Sequence, residues 1–221
     1  MKILIVHNDY GKYSGEEAVV DKMAAMFAEH GHDVAFYRTT TAEARENWRG
    51  KIRGFFSGIY SPAGVKGMRE ALRREKPDVV NIHNLYPFIS PAALFECKKA
   101  GVPVVMTVHN FRLICPTGLF MRDGKPCETC LEKGAEWSCI KYNCEHSMLK
   151  SVGYTLRNVY ARRTEAYKKN VDRSEKIPSV IALKFQLVPE KVRNHSPLTS
   201  DFRHLPEASP LPDRFPALHN S

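Results

Sequence analysis

An α/β fold with an open, mostly parallel β-sheet and helices on both faces is the class this sequence predicts. Three observations carry it. Short apolar, β-branched runs recur at Lys2–Val6, Asp33–Tyr37, Asp78–His83 and Val102–His109. Segments with apolar residues at helical spacing lie between them. The strict alternation of the two kinds reads as βαβ crossovers rather than hairpins.

KILIV is too short for a helix and suits a strand buried on both faces. A polar loop with Gly11 and Gly15 follows. From Glu17 to His30 the apolar residues Val19, Met23, Met26 and Phe27 mark one helix face, and Gly31 is the expected stop. Asp33–Tyr37 completes a right-handed βαβ unit. Thr39 to Tyr60 reads as a short helix with a basic, aromatic loop carrying Trp48, Arg49, Lys51, Arg53, Phe55 and Phe56. Gly64 to Glu75 is helical in pattern, and Lys76–Pro77 ends it before the third strand. Ser90 is the expected N-cap of a helix to Lys99, with Pro91 at its first position. Gly101 precedes the fourth strand. The strongest helical pattern runs from Ser147 to Asn170. It places Leu149, Val152, Leu156, Val159, Tyr160 and Tyr167 on one face and Lys150, Arg157, Arg162, Lys168 and Lys169 largely off it. No internal repeat is visible.

Composition bounds the function. The chain has 221 residues, 43% hydrophobic and 26% charged, which excludes collagen-like and wholly disordered classes. No apolar run approaches the ~20 residues needed to span a bilayer. The N-terminus lacks the longer apolar stretch and cleavage site of a signal peptide, so a cytoplasmic location is expected. Thirty-three basic against 24 acidic residues give +9. That charge serves solubility or an anionic partner: nucleotide phosphates, nucleic acid or a membrane surface. A basic nucleic-acid-binding module is an alternative reading, but no RRM, KH or helix-turn-helix signature is present. No nucleic-acid partner is expected.

Ligands in open parallel sheets bind beyond the carboxyl ends of the strands. Three such ends carry the same dipeptide: His7-Asn8, His83-Asn84 and His109-Asn110. A single histidine is most often structural. Three at one edge point to a shared crevice, because a near-neutral imidazole can donate, accept or take a proton.

The blocks KILIVHNDYGKYSGEEAVV, GHDV, KPDVVNIHNLYPFISPAAL and GVPVVMTVHNFRLICPTGLFMRDGKPCETC resemble the N-terminal domain of family four glycosyltransferases. The resemblance extends from Met1 to about Val171. It implies one half of a GT-B architecture, in which two Rossmann-like domains face each other. The N-terminal domain binds the acceptor and the C-terminal one binds the nucleotide-sugar donor. The implied reaction is a retaining, metal-independent sugar transfer needing no cofactor, and the chain contains no DxD motif. By the same resemblance His109 matches the catalytic histidine. Gly15 and Glu16 fall in the glycine-rich loop that faces phosphates, where this chain has Ser14-Gly15 in place of two glycines. His7, His83, Asn84, Asn110 and Arg112 form the expected substrate-binding set, Arg112 meeting a phosphate or a sugar hydroxyl. The partners implied are a nucleotide-sugar donor and a glycan or lipid-linked acceptor. The last would place the protein peripherally at an anionic inner membrane face, through the basic side of the 147–170 helix and the Trp48–Phe56 loop.

Two features stand outside that resemblance. Five cysteines follow the fourth strand as Cys115-x11-Cys127-x2-Cys130-x8-Cys139-x4-Cys144, a cysteine-rich insertion. Cys115, Cys127, Cys130 and Cys144 are the natural set for a structural zinc, with Cys139 or His146 as substitutes. Unligated thiols are the other reading, and Cys97 is expected in the core. After residue 171 the family would continue into a strand, a helix and the donor domain. Here five prolines fall from Asn194 onward, without helical or alternating period. Residues 172–221 are therefore expected to be a divergent, largely disordered tail with at most one short element at Val180–Val188, and the donor domain is expected to be absent. On this reading the chain is an acceptor domain, weak or inactive alone. A non-catalytic binding or scaffold remnant is the alternative.

Overall fold

Strand β1 (Lys2–Asp9) is buried on both faces because its alternate side chains meet two different helix layers. The computed structural model describes residues 1–10, 13–41, 48–132 and 136–176. The expected tail beyond residue 176, with its Val180–Val188 segment, lies outside the described residues.

Leu4 and Val6 join Val80, Ile82, Val104 and Met106 in the larger core, with Met68, Ala71 and Leu72 from one helix and Leu94 and Cys97 from another. Ile3 and Ile5 point the other way, onto Val20 with Ala24 and Phe27 beside it. Each fully buried aliphatic side chain contributes roughly 1.5–3 kcal/mol. The helices are α1 (Gly15–Glu29) on the smaller core and α3 (Pro62–Glu75) and α4 (Leu94–Lys99) on the larger. With β2 (Asp33–Thr40), β3 (Val79–Ile82) and β4 (Val104–Val108), this is the predicted sheet with helices on both faces.

The sheet order is β2-β1-β3-β4 and then β7 (Arg173–Lys176), with every pair parallel. β7 lies beyond the expected domain limit at residue 171. Asp172 is its anchor, donating its amide to Val104 O and accepting from Val104 N–H at 2.8 Å. The chain order reverses between β1 and β3, which makes their carboxyl ends the switch point of the sheet.

Local differences from the sequence reading have physical causes. α1 begins two residues earlier than expected because Ser14 and Glu17 form a capping box. Gly31 stops it with φ +76 as expected. α3 also begins early. Ser61 caps it, accepting from Gly64 N–H and donating to Phe88 O at 2.6 Å. Gly64 is obligatory there, because a Cβ would come within 2.6 Å of Ile89 Cα and strike the Ile89 carbonyl. Ser90 is not a helix cap. Its φ is +67, it makes no side-chain cap bond, and its hydroxyl accepts from Ser61 N–H. A 3₁₀ turn (Pro91–Ala93) then leads into α4.

The basic, aromatic segment expected to be mainly loop is instead helix α2 (Trp48–Ile59). It lies on α7 (Met148–Arg163), where Gly153 leaves room for the Phe55 ring. The 147–170 pattern is two helices, broken at Glu165 (φ +51) before α8 (Ala166–Asn170). Its expected apolar face holds only in part, with Val159 buried and Tyr167 packed on the larger core. Leu149 is 68% exposed, whereas Ser151, Gly153, Thr155, Arg157, Asn158 and Ala161 are buried with Val159. Close packing against α2 and the loops selects small and hydrogen-bonded residues over large apolar ones. Between β4 and α7 the cysteine-bearing segment forms a hairpin, β5 (Met121–Arg122) with β6 (Lys125–Pro126), and two single-turn helices, α5 (Thr129–Glu132) and α6 (Ser138–Lys141).

α3 and α4 are tied by charge. Glu96 is buried and accepts from Arg69 Nε at 2.7 Å and Lys99 Nζ at 2.8 Å. These hydrogen bonds hold its carboxyl down at about 2, from an ordinary 4.5. A carboxylate depressed in the folded state stabilises fully above its unfolded value and loses that contribution as pH falls toward the folded one. The Glu96 contribution should therefore fade between about pH 4.5 and 2. Glu96→Gln should be less stable at neutral pH and show a shallower loss across that window, measured by urea unfolding at successive pH values.

Candidate functional site

The carboxyl ends of β1 and β3 are interlocked by backbone and asparagine bonds. His83 N–H donates to Val6 O at 3.0 Å and Asn8 N–H to Asn84 O at 2.9 Å. Asn84 Nδ2 donates to Asn8 O, and Asn84 Oδ1 accepts from Tyr86 N–H. Asn8 Oδ1 accepts from Thr39 Oγ1 and from Phe88 N–H. Asn84 was expected on the substrate. Its amide is instead buried and spent on the chain, where it fixes the loop that follows β3.

That scaffold gathers the three imidazoles. His83 Nδ1 and His109 Nε2 are 2.8 Å apart, with ring centroids at 5.1 Å. One ring donates and the other accepts, so a single proton occupies that line. His7 stands edge-on to His83, centroids 6.3 Å apart. Burial, followed by the neighbouring His109, His7 and Arg38, lowers His83 to about 3. Burial lowers His7 to about 4 against the pull of Glu16 and Glu17. His109 is lowered by burial too, with Glu16 opposing. All three rings are neutral at neutral pH. They differ in access: His7 is fully buried, His83 is 4% exposed, and His109 is half-buried. His7 and His83 therefore back His109 and do not face a substrate at the rim.

Around His109 lies a polar rim. Asn110 Nδ2 donates to Glu16 Oε1 at 3.1 Å, and Tyr10 Oη donates to Glu16 Oε2 at 3.0 Å. Arg112 N–H donates to Asn110 Oδ1 at 3.0 Å, and Arg112 Nη1 to Tyr10 Oη at 3.5 Å. Arg112 Nε is buried without a partner. The structure thus brings Glu16, His109, Asn110 and Arg112 together. It gives Glu16 a different task from the phosphate contact expected of it, since both carboxylate oxygens join the β1 loop to the β4 loop. Gly15 is not demanded by the protein itself, because a Cβ there would meet nothing within 4 Å.

Sequence reasoning missed two residues. Tyr10 carries no periodic signal, and only its place just after β1 hints at a role. Arg157 was assigned to a solvated face but is 5% exposed. Its guanidinium lies 4.3 Å from the Tyr86 ring centre and 4.4 Å from that of Tyr154, and Nη2 donates to Pro116 O at 2.7 Å. Tyr86 and Tyr167 share a hydroxyl bond of 2.8 Å, and Arg112 also faces Tyr86, at 5.8 Å. A cationic aromatic layer therefore underlies the rim.

The cysteines are all free thiols. Burial pushes Cys130 up to about 12, with Cys115, Cys144 and Cys127 adding to the rise, so the four expected zinc ligands lie in one neighbourhood. Among the described residues they do not form a group with three sulfurs within 4.8 Å of one another. The group meeting that distance is His7, Asp9 and Glu17.

A sequence model described as Glycosyltransferase Family 4 matches residues 13–127, just over half the chain. No curated protein matches it. Among solved structures the chain is similar to a galactofuranose-binding protein, at 12% identity and a TM-score of 0.29 over 80% of this chain and 56% of that one. It is also similar to the periplasmic binding protein component of the arabinose ABC transporter from Shewanella sp. ANA-3, bound to α- and β-L-arabinofuranose, at 12% and 0.30 over 80% and 54%. A third structure, from Mycobacterium smegmatis in complex with β-D-fucofuranose, gives 13% and 0.30 over 80% and 55%. The chain spans about half the length of these solved chains.

The interlock makes a stability prediction separate from chemistry. Asn84→Ala leaves Tyr86 N–H and Asn8 O without their side-chain partners. It should destabilise by about 1–3 kcal/mol, measured by chemical denaturation, whereas a change near zero would show that Asn84 does not hold the loop.

Proposed function

Because the chain belongs to glycosyltransferase family 4, we propose that the rim around His109 is the acceptor side of a sugar-transfer site. One observation carries the reading: the half-buried His109 ring is pinned by His83 at the sheet's switch point and flanked by Glu16 and Arg112. A neutral imidazole held through Nε2 leaves Nδ1 to meet a sugar hydroxyl. The half-buried Arg112 guanidinium in the same rim suits a hydroxyl or phosphate oxygen of a glycan or lipid-linked acceptor.

The donor is a nucleotide-sugar, and the clamp on its leaving group comes from residues outside this α/β unit. That clamp supplies much of the acceleration through positioning and charge stabilisation. Transfer proceeds with retention and without a catalytic metal. The chain works at an anionic membrane surface. On α2, Ile52 and Phe56 lie one turn apart and Phe56 is 62% exposed, with Tyr60 exposed just beyond the helix, and the chain carries +9. No helix among the described residues is long and apolar enough to cross a membrane. A structural zinc on Cys115, Cys127, Cys130 and Cys144 belongs to the same proposal. Metal analysis of protein purified without chelator should find zinc that is lost when Cys127 and Cys130 are changed to serine, and a zinc content near zero or unmoved by that change discards the site.

The test of the main reading uses the full chain with saccharides and with lipid-linked saccharides in anionic vesicles. Acceptor binding should weaken at least about tenfold in His109→Ala and in Arg112→Ala, roughly the loss of one charge-assisted or well-placed hydrogen bond. Vesicle binding should fall in Phe56→Glu. Binding indifferent to both rim substitutions would overturn the acceptor-side assignment.

A further inference from the structure

His7, Asp9 and Glu17 each contribute one ligand atom to a group in which all atoms lie within 4.8 Å of one another. His7 and Asp9 are two apart on β1 and so project from the same face. Glu17 enters from the first turn of α1. His7 is fully buried, and neither of its ring nitrogens has a partner. Its Nε2 stops 3.6 Å from Asp9 Oδ1, which is likewise buried and unpartnered. One buried unpartnered polar atom costs about 1–3 kcal/mol. One unpartnered nitrogen of His7 and the unpartnered Asp9 Oδ1, 3.6 Å apart, lie beside the Glu17 carboxylate and together describe a place for a positive charge.

Neighbouring groups supply that charge only through space, since Arg38 acts on Asp9 and His7 without bonding to either. The nearby cation Arg38 is engaged by Asp21 at 2.6 Å. Glu17 accepts from Tyr10 N–H and Ser14 N–H. Those bonds orient its carboxylate as outer-shell donors orient a metal ligand, and they leave further lone pairs free. One imidazole and two carboxylates carry two negative charges, which a divalent ion balances. The set holds nitrogen and oxygen but no thiolate, a choice suited to Mn²⁺ or Zn²⁺.

We propose that His7, Asp9 and Glu17 bind a divalent first-row cation that pins the carboxyl end of β1 to the first turn of α1. The ion is structural and takes no part in the proposed transfer. The inference therefore stands apart from that reading, and its test reads metal directly. Mn²⁺ is the probe, because the cysteine thiols compete for Zn²⁺ but poorly for Mn²⁺.

The chelator-stripped full chain is titrated with Mn²⁺ while free ion is followed by electron paramagnetic resonance. Saturation near one Mn²⁺ per chain is expected, with a rise in Tm on binding. Glu17→Gln keeps the capping pattern, since glutamine serves at the same helix position. It and Asp9→Asn should each weaken Mn²⁺ binding at least about tenfold with unchanged circular dichroism. Changing Cys127 and Cys130 to serine should leave binding unaltered. No uptake at millimolar Mn²⁺, uptake unmoved by both carboxylate variants, or uptake lost with the cysteines overturns the site.

Discussion

The paired amides of Asn8 and Asn84 are the constraint on which the candidate site depends. They knit the carboxyl ends of β1 and β3 at the point where the sheet reverses order. In doing so they fix the loop that carries His83 and place it against His109. A residue pair that reads as functional in sequence is thus divided in labour. The asparagines at the first two strand ends serve the backbone, and the histidines occupy the space the backbone leaves.

Burial then sets the chemistry of that space. Removing three imidazoles from water disfavours their charged forms, and their proximity adds to the effect. The result is a neutral cluster in which His83 and His109 share a hydrogen bond, His7 stands edge-on, and one member is reachable. Glu16 and Arg112 bring opposite charges to the rim, while Arg157 is held between tyrosine rings in place of a carboxylate. A guanidinium tolerates that setting because it is weakly hydrated and stacks on aromatic faces.

The helices that frame the site are held by contacts at particular atoms. Ser61, Ser90 and the absent side chain of Gly64 bring α3 onto the loop after β3. Gly153 does the same for α2 and α7, where the Phe55 ring occupies the vacated volume. Both joints place small residues where a helix meets another element at close range, and that need competes with apolar periodicity. It explains why α7 buries serine, threonine and asparagine and exposes Leu149.

Much of the architecture was legible in the chain. Runs such as KILIV and VVMTV announce buried parallel strands, because a side-chain period of two with both faces apolar arises only between helix layers. The three His-Asn pairs marked the edge where the candidate site lies, since strand ends in such a sheet all open the same way. Position along the chain was sufficient for those conclusions. What tertiary structure alone decided was access and partnership. It buried His7, turned Asn84 inward, enclosed Arg157 and added β7 to the sheet. Those outcomes depend on contacts between residues far apart in sequence, and periodicity within one element carries no information about which distant atoms will fill the space beside it.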